Sequence, residues 1–234
     1  MNTGCCKHTY EWVARKVAHV GAYCANELFP IRCGICGKVG VAMCDTCGGA
    51  YVGAWQMTPH PCVPDVPVFY LKAYQYQPMR QCIAASKYRG RPDMLDEVIN
   101  RLCGYLPNTT GAVLVPVPIT RVHFARRGYN QAALLAQAIS RRYAMPWVDA
   151  IRWREMAMMH SHTGATREER LRVRPVCIKK RYLHGGMHVI VVDDVVTTGA
   201  TTRDVIRALQ ERGAIVRAVV ALAITQVGGT PGRT

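Results

Sequence analysis

The chain has 234 residues, half of them hydrophobic and 19% charged, which is enough to bury a sizeable core as one large domain or a small domain joined to a medium one, and excludes disorder as the main state. Thirty Lys and Arg against fifteen Asp and Glu leave a net charge of +15, so the partners to consider are polyanions and anionic metabolites. No window reaches the roughly 18 consecutive apolar residues of a membrane helix, and Glu11, Arg15, Lys16 and His19 interrupt the apolar run that a secretory signal needs; a cytoplasmic protein is expected.

Val13, Val17, Val20 and Cys24 fall at helical spacing and predict an amphipathic helix over 9–26. A Gly- and Cys-rich stretch follows from Cys33 to Gly49. Pro59, Pro61, Pro64 and Pro67 exclude a helix interior or a central strand, so this run reads as a linker between an N-terminal segment, 1–65, and a second domain, 66–234. From Val68 the pattern alternates. It predicts a strand over 68–76, helices over 79–88 and 92–105, a buried strand over 113–117, a helix over 130–142 and a strand near 147–153. A strand over 189–192, a helix over 201–212 and a strand over 215–224 complete it. Apolar strand-length runs alternating with helices predict an α/β fold with a parallel sheet covered on both faces, its ligand site at the carboxyl ends of the strands.

Eleven cysteines cannot all pair, and in a reducing compartment clustered cysteines point to metal rather than to disulfides. Cys33-x2-Cys36 and Cys44-x2-Cys47 form two knuckles able to place four thiolates tetrahedrally around one ion, with Gly34, Gly37 and Gly48 permitting the tight turns. Four Cys ligands leave no open coordination position, so structural zinc is expected. An iron–sulfur cluster and unliganded thiols are the other readings.

The most informative stretch is Val189-Ile-Val-Val-Asp193-Asp194-Val-Val-Thr197-Thr198-Gly199-Ala200-Thr201-Thr202. Backbone N–H groups at the start of the following helix, with the hydroxyls of Thr197, Thr198, Thr201 and Thr202, make a nest for a phosphate, and Gly199 lets the backbone approach it. Asp193 and Asp194 then stand about a sugar's width away, where carboxylates accept hydrogen bonds from vicinal ribose hydroxyls or help to hold magnesium. A nucleotide-hydrolase metal site is the competing reading, but no GxxxxGK[ST] cradle lies upstream. The set fits a ribose 5-phosphate.

At these residues the sequence resembles the type I phosphoribosyltransferases, whose phosphoribosyl pyrophosphate signature has this strand, acidic pair and Thr/Gly turn. A second block narrows the resemblance. Leu114-Val-Pro116-Val-Pro118 followed by Arg126-Arg127-Gly128-Tyr129-Asn130-Gln131 is similar to the "VPVP … RGFNQ" block of the ComF family, as is the four-cysteine knuckle preceded by Leu28-Phe29-Pro30. This resemblance implies a phosphoribosyltransferase-like α/β domain behind a small zinc-binding N-terminal segment, and a role in natural competence and DNA uptake. It implies a pyrophosphate loop at Val117 to Arg121, with Arg121, Arg126 and Arg127 supplying charge, and magnesium arriving with phosphoribosyl pyrophosphate. A competence helicase and a membrane channel are implied as partners, and a peripheral place at the inner membrane. One loop departs from the family pattern: His162 and Val173 stand where relatives have Gln and Asn, while Arg170 is kept.

Two functions follow. In the first, Asp193 and Asp194 are catalytic acids of a phosphoribosyl transfer to an unknown nitrogen nucleophile, and Thr197, Thr198, Gly199, Ala200, Thr201, Val117 and Arg121 bind phosphoribosyl pyrophosphate. In the second, the pocket only senses a ribose phosphate, while the basic surface and the zinc segment hold single-stranded DNA. Residues 121–182 carry fourteen Lys or Arg and four Asp or Glu; Arg126 and Arg127 are its expected DNA contacts, a solvated basic face being the other reading. His160 and His162 read either as a proton relay or as exposed loop residues.

Overall fold

A computed structural model describes residues 30–101, 106, 110–153, 176–179 and 183–225. The helix expected over 9–26 and the loop bearing His160, His162 and Arg170 lie outside the described residues. The described chain begins with the cysteine segment, whose second knuckle forms a single helical turn, α1 (Asp45–Gly48), and continues into β1 (Gln56–Thr58) and β2 (Val68–Ala73). Helices α2 (Gln77–Tyr88) and α3 (Asp93–Asn100) lead to β3 (Val113–Pro116), followed by α4 (Arg121–Arg127) and α5 (Gln131–Tyr143). The remainder is β4 (Ile151–Trp153), β5 (Val176–Ile178), β6 (His188–Val196), α6 (Ala200–Gln210) and β7 (Ile215–Ile224).

The main sheet has the order β1-β2-β7-β6-β3. The pairings of β2 with β7, β7 with β6 and β6 with β3 are parallel, and only β1 runs antiparallel, on β2. Side chains alternate across a strand, so each strand feeds two cores. Val68, Val115, Val191 and Val219 stand in register across the sheet and are completely buried on one face with α6. Leu114, Ile190, Val192 and Val220 face the other layer, with Met79, Met94 and Ile139 of α2, α3 and α5. Burial on both faces explains why β6 and β7 read as unbroken apolar runs.

Differences from the expected elements have local causes. Pairing with β7 carries β6 on to Val196, so the two acids lie within the strand rather than beyond it. The strand expected near 147–153 divides: Trp147 makes a single parallel bridge to Leu114, whereas β4 pairs antiparallel with β5 in a separate ribbon. Between β3 and α5 an additional helix, α4, is capped by the Thr120 hydroxyl and ended by left-handed Gly128. Just before the proline run, β1 joins the main sheet, and Met43 and Tyr51 of the cysteine segment are buried in the core with Met79 and Met94. The described parts of 1–65 and 66–234 therefore share one hydrophobic layer.

Candidate functional site

Past Val192, the last β6 residue paired with β3, the sheet opens at its carboxyl end. A cavity of about 340 Å³ lies there, walled by the Val117–Thr120 loop, the head of α5, the acid pair and the Thr197–Thr202 turn. Gly199, at φ +73°, is the N-cap of α6 and has no side chain to cap it; the Thr198 hydroxyl accepts from Ala200 N–H at 3.4 Å, and Ala200, Thr201 and Thr202 of the first turn of this eleven-residue helix line the cavity. Asn130 shapes the opposite wall. Its carbonyl accepts from Ala132 N–H at 3.1 Å as the α5 cap, and its amide donates to the Val117 carbonyl at 2.9 Å; the loop and helix are thereby fixed to each other.

The two acids are held differently because consecutive strand residues face opposite ways. Asp193 is buried and accepts from Asp194 N–H at 2.8 Å and from the Thr202 hydroxyl at 3.1 Å. Burial, and then the charge of Asp194, push its carboxyl up to about 7, against the opposing pull of those two donors and of Lys87. Asp194 accepts from Val195 N–H at 2.8 Å and pairs with Lys87 Nζ at 2.6 Å. Each of the four carboxylate oxygens thus already accepts from one donor and keeps a second lone pair, with which the pair can accept further hydrogen bonds from hydroxyls.

Of the residues expected at the site, Asp193, Asp194, Thr197, Thr198, Gly199, Ala200, Thr201, Val117 and Arg127 line this one cavity. Arg121 lines a neighbouring pocket with Arg152 and Cys177 instead, because it opens α4 and leaves the loop that Val117–Thr120 form. Arg126 is exposed on α4 away from both, while Arg127 donates to Gln131 Oε1 at 3.0 Å and lies over the Tyr88 ring. Thr202, expected to offer its hydroxyl to a phosphate, is buried and commits it to Asp193.

Three residues escaped the sequence reading. Lys87 comes from the last turn of α2, read only as scaffold, though the basic cluster Lys87-Tyr88-Arg89-Gly90-Arg91 at that helix end was an available signal. Gln131, read only as part of the family block, is buried on the cavity wall at the head of α5, and its Nε2 has no hydrogen-bond partner among the described residues. His60 sits under the Thr/Gly turn, in the proline run read as a linker.

The Sγ atoms of Cys33, Cys36, Cys44 and Cys47 all lie within 4.8 Å of one another. Cys36 and Cys44 are 3.6 Å apart, close to the roughly 3.8 Å edge of a tetrahedron with zinc–sulfur bonds of about 2.3 Å. Burial opposes ionisation of Cys33, but the N–H groups of Cys36, Cys44 and Ile35 outweigh it and hold that thiol at about 6. The four cysteines can hold a metal ion such as zinc. Helices α2 and α3 clasp the knuckle: Arg89 donates to the Gly34 carbonyl, Arg91 to those of Arg32 and Ala42, and Arg101 to that of Met43 at 2.9 Å. Glycine allows this close approach: a Cβ at Gly34 would lie 2.5 Å from Met94 Sδ and one at Gly48 2.4 Å from Arg101 Cζ, so either side chain would have to shift.

Residues 124–226 match the family model of the phosphoribosyl transferase domain. The competence protein ComFC of Bacillus subtilis is 29% identical over 144 residues, covering 58% of this chain and 55% of that protein. The competence protein F of Haemophilus influenzae is 31% identical over 107 residues, covering 43% and 44%, and the DNA utilization protein YhgH of Escherichia coli O6:H1 is 35% identical over 115, covering 45% and 48%. The chain is similar to proteins of the ComF family. It spans about half the length of the curated ComF relatives it matches. Its α/β domain has the type I phosphoribosyltransferase fold. Among solved structures, the adenine phosphoribosyltransferase of Thermoanaerobacter pseudethanolicus aligns at a TM-score of 0.38 and 15% identity, over 73% of this chain and 83% of that one. No helix among the described residues is long and apolar enough to cross a membrane.

Proposed function

We propose that this ComF-like chain binds the ribose 5-phosphate group of phosphoribosyl pyrophosphate at the carboxyl end of β6, carries zinc in its cysteine knuckle and acts on single-stranded DNA in DNA uptake or utilisation. The observation that carries the pocket reading is the meeting, in one cavity, of a glycine-started helix N-terminus with a hydroxyl-bearing turn and an acid pair already arranged as hydrogen-bond acceptors. The turn receives the phosphate on N–H and O–H donors, and the acids receive the ribose hydroxyls. Gln131 Nε2, buried without a partner among the described residues, supplies one more donor at the wall, a cost that a bound acceptor would relieve. The names of the relatives, competence and DNA utilization proteins, support the cellular role, and the net +15 supports a polyanionic partner.

A binding module without turnover is favoured by one observation. Lys87 pairs with Asp194, and Asp193 is pushed up to about 7, so near neutrality the pair carries less negative charge toward an oxocarbenium ion than two free carboxylates would. Titration calorimetry of phosphoribosyl pyrophosphate and ribose 5-phosphate into the zinc-loaded chain, with and without magnesium, tests the pocket, and a search for released pyrophosphate separates the transferase from the binding module. Absence of binding by either ligand at millimolar concentration overturns the pocket reading.

A further inference from the structure

His60 lies in the proline-rich strap between β1 and β2, 3% exposed, below the Thr197–Gly199 turn. Cys62 N–H donates to its Nδ1 at 3.3 Å, so that nitrogen is the acceptor and the proton of the neutral ring sits on Nε2. Nε2 is 3.3 Å from the Thr197 carbonyl oxygen and donates to it. The strap also touches the outer face of the turn: a Cβ at Gly199 would meet His60 Cε1 at 2.7 Å, Nδ1 at 2.9 Å and Cys62 Cβ at 3.0 Å. The strap is itself anchored, by Val63 N–H on the His60 carbonyl at 2.9 Å, by Val66 N–H on the Val63 carbonyl at 3.1 Å, and by burial of both valines.

His60 is absent from the cavity wall, so its effect on a ligand can only pass through the turn. A peptide group has two ends. Where the N–H groups of Thr198 to Ala200 face a phosphate, the Thr197 carbonyl must face away, because its dipole would repel the anion. A carbonyl directed into the protein needs a donor there, and in this chain the imidazole is that donor.

We propose that His60 is a positioning residue of the pocket, whose Nε2–H holds the Thr197 carbonyl and thereby keeps the N–H groups of the turn directed at the phosphate. The proposal rests on the reading of this turn as a phosphate cradle. His60→Gln retains a donor near the position of Nε2, His60→Asn retains an acceptor near Nδ1 without that donor, and His60→Ala retains neither.

Calorimetric titration of ribose 5-phosphate into the full chain should show binding about five- to tenfold weaker for Asn and Ala, with Gln within about threefold of wild type. Amide hydrogen exchange, read without ligand, should accelerate at Thr198 to Ala200 in the Asn and Ala variants but not in Gln, with β7 protected as in wild type throughout. Wild-type protein that binds no ribose 5-phosphate overturns the cradle reading and leaves the exchange arm to decide whether His60 holds the turn. Wild-type protein that binds, with Asn and Ala variants that bind equally well and exchange no faster at the turn, overturns the proposal. Should His60→Ala fail to fold, the Gln and Asn pair carries the same comparison.

Discussion

Replacing Asp193 with Asn keeps the side chain's size and an acceptor oxygen while removing its charge. Burial and the Asp194 charge lift the folded-state carboxyl from its ordinary 3.8 to about 7, so between those values the folded protein retains a proton that the unfolded chain has released. The stability tied to this group is therefore complete below about pH 4 and is lost as pH rises through about 7, beyond which the folded state bears the full cost of a buried charge. At about 1.4 kcal/mol per pH unit the interval is worth at most about 4 kcal/mol. Because Lys87 and Asp194 share the charge, the gain expected from Asp193→Asn at pH 8 is about 1–3 kcal/mol. One kcal/mol moves the Tm of a domain this size by about 2–4 °C, so the variant should melt about 3–10 °C above wild type at pH 8 and only about 1–4 °C above it at pH 5, where about a third of the interval has been crossed. Scanning calorimetry of both proteins at both pH values reads the difference, and groups that titrate alike in the two cancel. A variant no more stable than wild type at pH 8, or offset equally at pH 5, refutes the assignment of a buried, proton-retaining Asp193.

Neighbouring threonines should behave oppositely: Thr201→Val should weaken ribose 5-phosphate binding by about 0.5–1.5 kcal/mol in calorimetry with little loss of stability, whereas Thr202→Val, which strips a donor from Asp193, should lower Tm at pH 8 more than at pH 5. Gly199→Ala forces a Cβ onto His60 in left-handed backbone, and should lower Tm by about 4 °C or more in thermal melts, with most of the loss persisting when His60 is also Ala because the backbone strain remains. Elemental analysis should find one zinc per chain, and chelation should lower Tm as well as expose residues 30–51 to protease, because Met43 and Tyr51 belong to the main core. For single-stranded DNA, Arg126→Glu should make the slope of log K against log salt shallower by about 0.7 for each phosphate no longer neutralised, while Arg127→Glu, which also frees Gln131, should weaken ribose 5-phosphate binding as well.

Strong one-dimensional signals were legible. The valine run into Asp193 and Asp194 could hardly be other than a central strand, the cysteine spacing foretold a four-thiol cluster, and the Thr/Gly turn between that strand and the next helix stood out as a turn lining one cavity with the acids. Features that depend on tertiary reach were not. Helix α4 escaped notice because Val122 and Phe124 are both exposed, so no buried face gives the segment a helical period. Strand β1 is three residues, Gln56-Met57-Thr58, without an apolar alternation. Lys87 and His60 act across 107 and 137 residues of chain respectively, a separation at which no spacing rule applies. Arg121 was assigned to the pocket by its place in the loop, and the start of α4 there carries it into the next pocket.

The antiparallel β1 on β2 has a consequence for solubility. A parallel sheet has two open edges, and an open apolar edge invites pairing with another molecule. Here one edge ends in Pro116, with Trp147 bridging Leu114 beside it, and the other is covered by β1, too short and polar to recruit a neighbour. A chain shortened to begin after Thr58 would leave β2, with its buried Val68, Phe69 and Leu71, with unpaired backbone groups at the sheet margin, and would self-associate even with every pocket residue in place.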